Sequence, residues 1–186
     1  MLTNPELRIQ LNSTFEVSAQ DTQRQLEDFE QRVNSVTHRQ RIAAVREHFY
    51  HEMISFDLDQ LMATFIDDPG PSGTIYDLRY GWQAIREQYA DLMPARMKRG
   101  STFDILHLLV DDDMVFLEMT GIYTLDYISE VWNEDLPRDR PAVATKRWAV
   151  RFLFQGDRLY DEIAYFDGAF SANDLAFLDD ERVSVE

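Results

Sequence analysis

The sequence of 186 residues contains no cysteine, few basic side chains and no long apolar run. Without cysteine it has no disulfide framework, no thiolate nucleophile and no cysteine-ligated zinc site. Its 18 basic side chains face 34 acidic ones, and the resulting charge of -16 repels phosphate backbones and anionic lipid surfaces. A membrane helix would need about 18 or more apolar residues in a row, and the N-terminus lacks the basic and apolar stretches of a signal peptide. These absences argue against nucleic-acid and membrane partners, and they predict a soluble, cytoplasmic protein.

Glycine and proline are missing from most of the first third of the chain. Between Pro5 and Pro69 there is neither residue, and all seven glycines lie at or after Gly70. Apolar residues recur there every three or four positions, which is typical of amphipathic helices. We therefore predict helices near 15–36, 38–55 and 58–66, with Thr37 and Asp57 as N-caps of the last two. The apolar stripe of the first helix must pack against another element; it comprises Leu26, Phe29, Val33 and Val36.

The remainder of the chain predicts one more helix and a sheet. A loop at 67–73 leads to a short strand at 74–79, and a helix begins near Gly81 and is weakened by Pro94. The later strands alternate polar and apolar residues and form two antiparallel hairpins around acidic or glycine-containing turns, Thr102–Val110 with Met114–Tyr127 and Ala142–Phe154 with Arg158–Asp167. Helices followed by strands favour an α+β fold.

Two segments lie outside this pattern. The polar connection 129–141 carries Trp132 and is predicted to be an exposed loop, with a lid or a dimer contact as the alternatives. The tail 171–186 ends in a short apolar stretch and the acidic run Asp179 to Glu181, and we expect it to be loosely attached rather than a partner-binding segment.

The order of elements and three local motifs resemble the nuclear transport factor 2-like superfamily, in particular its SnoaL-like, polyketide cyclase-like branch. FDLDQLMATFIDD at 56–68 resembles the second helix of that superfamily, GWQAIREQY at 81–89 its third helix, and GDRLYDEIAYFD at 156–167 its last strand. The resemblance implies a cystatin-like cone, in which a curved antiparallel sheet wraps around three helices. It spans about residues 38–170, so residues 1–37 are an extra N-terminal helical extension and 171–186 a C-terminal tail.

The resemblance also allows catalytic positions to be compared one by one. Asp77 matches the proton-shuttling aspartate of ketosteroid isomerases, although it could instead cap the helix after Gly81. The other groups that these isomerases use are absent, because Phe49 and Val150 occupy their positions. The acidic positions of epoxide hydrolases and polyketide cyclases of this fold are absent too. Ala164 and Gly121 stand at those positions, and Met119 replaces the arginine of the hydrolase.

Strand alternation extends the implied pocket, because residues two apart on a strand share a face. If Ala164 and Val150 point inward, Glu162 and Tyr123 do so as well, and with Asp77 they form the predicted catalytic set. Glu162 could be an acid or base partner of Asp77, or it could lie in water at the pocket mouth. The predicted lining consists of Phe49, Met53, Leu117, Met119, Trp148, Val150, Phe152, Tyr160, Ala164 and Phe166. The opposite face carries charges that could pair across strands or across a dimer: Arg147, Arg151, Glu118 and Asp161.

One further group contains histidines. His48 and His51 lie three residues apart on a helix beside Glu47 and Glu52, but a metal site needs three or four converging ligands. We therefore interpret the group as a solvated helix edge and predict no metal site.

The sequence thus predicts a small-molecule-binding domain with an apolar pocket, and one interpretation makes it an isomerase or lyase that transfers protons without a cofactor. The alternative is a non-catalytic ligand-binding or dimeric assembly module of the same fold. The expected partners are a small apolar or aromatic molecule and a second copy of the chain in a homodimer.

Overall fold

The computed structural model describes residues 8–10, 16–99, 101–140, 142–166 and 168–177. The predicted acidic run Asp179 to Glu181, residue 15 at the start of the first predicted helix, and Asp167 at the end of the last predicted strand lie outside these residues. Five α-helices form in the described part of the chain: α1 (Ala19–Arg32), α2 (Val36–Tyr50), α3 (Leu58–Ala63), α4 (Trp82–Arg99) and α5 (Leu125–Val131).

Side-chain caps fix where the first three helices begin. Ser18 accepts a hydrogen bond from the backbone N–H of Asp21, whose carboxylate accepts one from the N–H of Ser18, so α1 starts with a reciprocal cap. Asp57 caps α3 as predicted and accepts from two backbone N–H groups of the first turn. The cap of α2 is Ser35 rather than the predicted Thr37, because the Ser35 hydroxyl accepts from the N–H of His38.

The predicted helix 38–55 changes its winding before it ends. α2 stops at Tyr50, and His51–Ser55 continues as one π-helical turn that ends where Phe56 takes a left-handed conformation, with φ of 52°. A π-turn inserts an extra residue into the helical period and re-aims the side chains that follow it. Here Glu52 and Met53 both become buried.

Nine strands form two sheets in the described residues. A small ribbon pairs β1 (Arg8–Gln10) with β2 (Glu16–Ser18). The main sheet has the order β4-β3-β8-β7-β6-β5, with β9 paired to the start of β7. Its strands are β3 (Ser72–Thr74), β4 (Asp77–Arg79), β5 (Ser101–Val110), β6 (Met114–Thr124), β7 (Ala142–Gln155), β8 (Arg158–Phe166) and β9 (Leu175–Phe177).

The two predicted antiparallel hairpins, β5–β6 and β7–β8, are present with the predicted turns. The predicted single strand 74–79 is instead a small hairpin, β3–β4, and β3 pairs with β8 in parallel. The sheet is therefore mixed. The predicted strand Met114–Tyr127 ends early, because Thr124 caps helix α5 through the N–H of Tyr127.

The segment predicted as an exposed loop at 129–141 begins within α5, and its tryptophan is packed. The Trp132 ring lies 6.1 Å from that of Trp148, 5.2 Å from Phe166 and 5.5 Å from Phe170, measured between centroids. The aromatic contacts hold this end of the connection against the sheet.

The main core lies between the helices and the inner face of the sheet. The helices contribute Val45, Phe49, Met53, Leu61, Met62 and Ile85, and the sheet contributes Leu117, Met119, Val150 and Phe152, all buried. Each such side chain contributes about 1.5 to 3 kcal/mol by leaving water. On the other face, opposite charges pair across neighbouring strands of the same chain: Arg147 lies 3.6 Å from Glu118, and Arg151 lies 2.7 Å from Asp161.

Helix α1 packs on the edge strand β5. The Thr22 hydroxyl donates to the carbonyl of Phe103, and the Gln25 amide oxygen accepts from the N–H of Ile105, where the pairing of β5 with β6 is irregular. Of the predicted apolar stripe, Leu26 is fully buried and Val36 is exposed. In the described residues, no helix combines the length and apolar character that crossing a membrane requires.

Candidate functional site

An aromatic cleft opens between the β3–β4 hairpin, helices α4 and α5, and strands β5 to β7. Its volume is about 430 Å³. That size is typical of small-molecule sites. The cleft is lined by Thr74, Tyr76, Asp77, Arg79, Gln88, Asp91, Leu92, Arg96, Phe103, Tyr123, Tyr127, Val131, Trp132 and Trp148.

Packed aromatic rings form the inner wall of the cleft. Tyr123 and Tyr127 stack with their centroids 5.5 Å apart and an interplanar angle of 17°. The ring centroids of Phe103 and Trp148 lie 6.2 and 6.4 Å from that of Tyr123. Burial raises the pKa of Tyr123 well above its ordinary value, and the neighbouring Tyr127 adds to the rise. Tyr123 therefore keeps its proton at neutral pH.

Gly121 makes room for Tyr123. The two residues share one face of β6, and the phenol ring of Tyr123 lies directly over Gly121. A Cβ atom on Gly121 would come 2.6 Å from two ring atoms of Tyr123 and closer still to its hydroxyl. A side chain at position 121 is thus incompatible with the present position of the tyrosine.

We expect Gly121→Ala to destabilise the fold by about 1 to 3 kcal/mol, because Tyr123 is buried among other rings and cannot move without strain. Gly70→Ala is the matched control. A Cβ there would also meet a tyrosine, Tyr160 at 2.7 Å, but that ring is 38% exposed and can swing into water. Urea unfolding measures the free energy of unfolding of both variants. An equal loss in the two would show that the burial of Tyr123 does not cause the effect.

A buried ion pair closes the inner end of the cleft. Arg96, from α4, lines the cleft and forms an ion pair and hydrogen bond with Glu52, from the π-helical turn, and the two side chains are 13% and 4% exposed. The guanidinium group also donates to the Tyr127 hydroxyl at 3.3 Å. Burial raises the pKa of Glu52, although Arg96 opposes the rise.

A second buried cluster lies beside this pair. His48 is fully buried, and its Nε2 lies 3.2 Å from a carboxylate oxygen of Glu162, which also accepts a hydrogen bond from the Tyr89 hydroxyl. The other ring nitrogen, Nδ1, lies 2.8 Å from the Thr64 hydroxyl. Burial alone would raise the pKa of Glu162, but His48, Tyr89 and Arg96 together outweigh it, and the pKa is lowered.

The structure places the three predicted catalytic residues in different surroundings. Tyr123 and Asp77 both line the cleft. Asp77 lies at its mouth, where the carboxylate is half exposed and paired with Arg79 at 2.8 Å. Glu162 is not among the residues that line this cleft and is bonded to His48 and Tyr89 instead. Asp77 and Glu162 therefore do not face one another across the cleft.

Most of the predicted lining residues belong to the core beneath the cleft. Trp148 lines the cleft, and Phe166 packs on Trp148 with centroids 4.4 Å apart. Phe49, Met53, Leu117, Met119, Val150 and Phe152 are buried in the hydrophobic core, and Ala164 packs against it.

The predicted inward orientation of Tyr160 is wrong. Phe154 pairs with Leu159 and Leu153 with Asp161, so Tyr160 is the extra residue of a β-bulge. The bulge shifts the side-chain alternation by one residue. Leu159 becomes fully buried, and Tyr160 lies exposed against Gly70.

The interpretation of His48 and Glu52 as a solvated helix edge is also wrong, since both are buried. The spacing held a signal that could have revealed them. His48 follows the core residue Val45 by three positions and Glu52 follows Phe49 by three, so both border the apolar stripe of the helix. Arg96 lies four residues after Leu92, and both residues are on the side of α4 that lines the cleft.

One group of potential metal ligands lies among the described residues. His38, Asp111 and Asp112 have ligand atoms that all lie within 4.8 Å of one another, and both aspartates are exposed. None of the three lines the cleft.

Several solved structures are similar to this chain. A nuclear transport factor 2-like protein from Anabaena variabilis ATCC 29413 matches with a TM-score of 0.54 and 13% identity, over 75% of this chain and 97% of that chain. The epoxide hydrolase/cyclase-like enzyme SalBIII, described as having a role in pyran ring formation in the polyether salinomycin, matches with a TM-score of 0.51 and 16% identity, over 73% of this chain and 93% of that chain. Bal32a, from a soil-derived mobile gene cassette, matches with a TM-score of 0.51 and 18% identity, over 70% of this chain and 91% of that chain.

These similarities establish the fold. The chain has the nuclear transport factor 2-like α+β cone that the sequence predicted. A scan with protein-family models finds no match, and a search of curated proteins finds none either.

Proposed function

We propose that the chain binds a small, largely apolar or aromatic molecule in the cleft and moves a proton on it, as a cofactor-independent isomerase or lyase of the SnoaL-like group. The observation that carries the proposal is the lining of one cleft of about 430 Å³ by an aromatic wall, a carboxylate and a buried phenol. A few polar groups among apolar walls are typical of small-molecule sites.

Asp77 and Tyr123 supply the two roles that such a reaction needs. The Asp77 carboxylate accepts a proton from a carbon next to a carbonyl group of the ligand. Tyr123 donates a hydrogen bond to the carbonyl oxygen, where negative charge develops, and its raised pKa keeps the donor protonated. Return of the proton from Asp77 to another carbon completes an isomerisation, whereas departure of a leaving group completes an elimination.

The second candidate is a non-catalytic module that binds the same kind of molecule in the same cleft, or that serves assembly of a dimer. The exposure of Asp77 and its ion pair with Arg79 favour this alternative, because a carboxylate in water gains little basicity from its surroundings. Both candidates require binding in the cleft, but only the first requires proton transfer.

Deuterium exchange distinguishes the two candidates. Aromatic ketones with acidic α-hydrogens, such as tetralone and indanone, would be incubated with the protein in deuterated buffer and followed by NMR. We expect exchange above the buffer rate, and a decrease of about a hundredfold in Asp77→Asn and in Tyr123→Phe. Fluorescence of Trp132 and Trp148, both in the cleft, reports binding in every variant.

Asp28→Asn and Tyr50→Phe are the matched controls, because both residues are exposed and lie outside the cleft. Ketone binding without exchange in the unmodified protein would favour the non-catalytic candidate. Exchange that survives both Asp77→Asn and Tyr123→Phe would remove the proposed roles.

A further inference from the structure

We propose that the cleft selects ligands that carry a positive charge, namely a protonated or quaternary amine attached to an apolar or aromatic body. This inference rests on the proposed function, which places the ligand in the cleft, and it adds the chemical class of that ligand.

Carboxylates outnumber cations at the cleft. Both arginines that line it are already engaged by carboxylates, Arg79 by Asp77 and Arg96 by Glu52. Asp91 is exposed on α4, lines the cleft, and has no ion-pair partner among the described residues.

Glu162 adds a further carboxylate; it lies 3.2 Å from His48, which precedes Glu52 by about one helical turn. The four carboxylates Asp77, Asp91, Glu52 and Glu162 thus outnumber the two guanidinium groups. Even with His48 protonated, the sum of charges is negative. The charge of -16 on the whole chain acts in the same direction and attracts cations toward the surface.

The aromatic wall of the cleft also favours a cation. Tryptophan and tyrosine rings attract cations through their negative faces, and tryptophan does so most strongly. The cleft carries two tryptophans, Trp132 and Trp148, and two stacked tyrosines, Tyr123 and Tyr127. The same wall already holds one cation, because the guanidinium carbon of Arg96 lies 5.9 Å from the centre of the Phe103 ring.

Together these features define the preferred ligand. An anionic group would meet the unpaired Asp91 at the mouth and would have to compete with Glu52 for Arg96. A neutral apolar body would gain from the rings alone. A cation gains from the rings and from the excess of carboxylates, and its apolar body fills the rest of the cleft.

The test uses four ligands that share one phenyl-alkyl body and differ in charge: phenethylamine, phenethyltrimethylammonium, phenethyl alcohol and phenylpropionate. Affinities for the full chain are measured by titration calorimetry, with tryptophan fluorescence to locate binding in the cleft. We expect both cations to bind about tenfold more tightly than the alcohol, and phenylpropionate to bind most weakly. The preference should fall as salt is added.

Variants separate the cleft from the general charge of the protein. Asp91→Asn should lower the affinity for the two cations by about threefold and leave the alcohol unchanged. Asp28→Asn removes the same charge from an exposed position on α1, and it should leave the affinities for the two cations and for the alcohol unchanged.

The outcomes separate this inference from the proposed function. If all four ligands bind with similar affinity, or if phenylpropionate binds best, charge selection is wrong while the proposed binding function stands. If none of the four changes the tryptophan fluorescence or gives heat, the proposed function and the inference both fail. Equal losses in Asp91→Asn and Asp28→Asn would show that the field of the whole chain, not the cleft, causes the preference.

Discussion

Replacing Arg96 by methionine should cost about 3 to 5 kcal/mol of folding free energy. The substitution leaves the Glu52 carboxylate in the protein interior without the cation that compensates it, and an unpaired buried charge is strongly destabilising. Removal of Arg96 also lets the pKa of Glu52 rise further, because Arg96 is the main group that opposes the effect of burial. An acid whose folded pKa lies above its unfolded pKa favours folding as the pH falls, so the deficit should shrink on acidification. Urea unfolding at neutral and mildly acidic pH measures both effects.

Two variants serve as controls for Arg96→Met. Arg86→Met changes the same residue type on the same helix, where Arg86 pairs with the exposed Asp59, and should cost at most about 1 kcal/mol. The double variant Glu52→Met with Arg96→Met replaces the buried pair by apolar side chains of similar size. The double variant should recover most of the lost folding free energy, because neither charge of the pair is left buried without its partner. A double variant as unstable as Arg96→Met alone would show that packing, rather than charge, causes the effect.

The Arg96–Glu52 pair also shows where sequence reasoning succeeded and where it stopped. The first four helices and the two large hairpins depend on residues that are close in sequence, and their bounds were predicted with errors of a few residues. Asp57, for example, caps α3 as its spacing to Gln60 indicates. The error at Ser35 arose because Ser35 and Thr37 can both cap a helix, and only the packed structure selects one. Helix α5, which Thr124 caps, was not predicted, because its residues continue the strand pattern of β6.

The buried polar residues depend on contacts between distant parts of the chain. Glu52 and Arg96 lie on different helical segments, and His48 and Glu162 lie on a helix and a strand that are far apart in the sequence. A pattern that counts only apolar positions places such residues on the solvent side. The predicted orientation of Tyr160 in β8 was wrong for a related reason, because the bulge at this residue is visible only in the pairing of β8 with β7. Nor could the strand pattern indicate that Asp77 pairs with Arg79, or that Glu162 is bonded to His48 and Tyr89.

The buried cluster around His48 leads to the second large effect. His48→Leu should cost about 3 kcal/mol at neutral pH, because the carboxylate of Glu162 then keeps Tyr89 but loses the ring that lies 3.2 Å away. His107→Leu, the same change at an exposed position of β5, is the control, and its free energy of unfolding should stay within about 0.5 kcal/mol of the unmodified protein's.

The loss of stability in His48→Leu should depend on pH, because it depends on the ionisation of Glu162. In the unmodified protein the pKa of Glu162 is lowered, chiefly because His48 and Tyr89 outweigh the effect of burial. Its contribution to stability is therefore present above the ordinary glutamate value of about 4.3 and is lost as the pH falls through the lower folded pKa. Without His48, burial dominates and the folded pKa of Glu162 rises, so the variant gains stability as the carboxylate takes up a proton.

The difference in the free energy of unfolding between the two proteins should therefore narrow as the pH falls from about 7 to 4. At pH 7 this difference should be smaller when Glu162→Gln is added to the variant. A deficit that is constant with pH would mean that His48 acts by filling space beside Phe65 and Phe152, whose rings it contacts at 5.3 and 6.0 Å, rather than by holding Glu162 ionised.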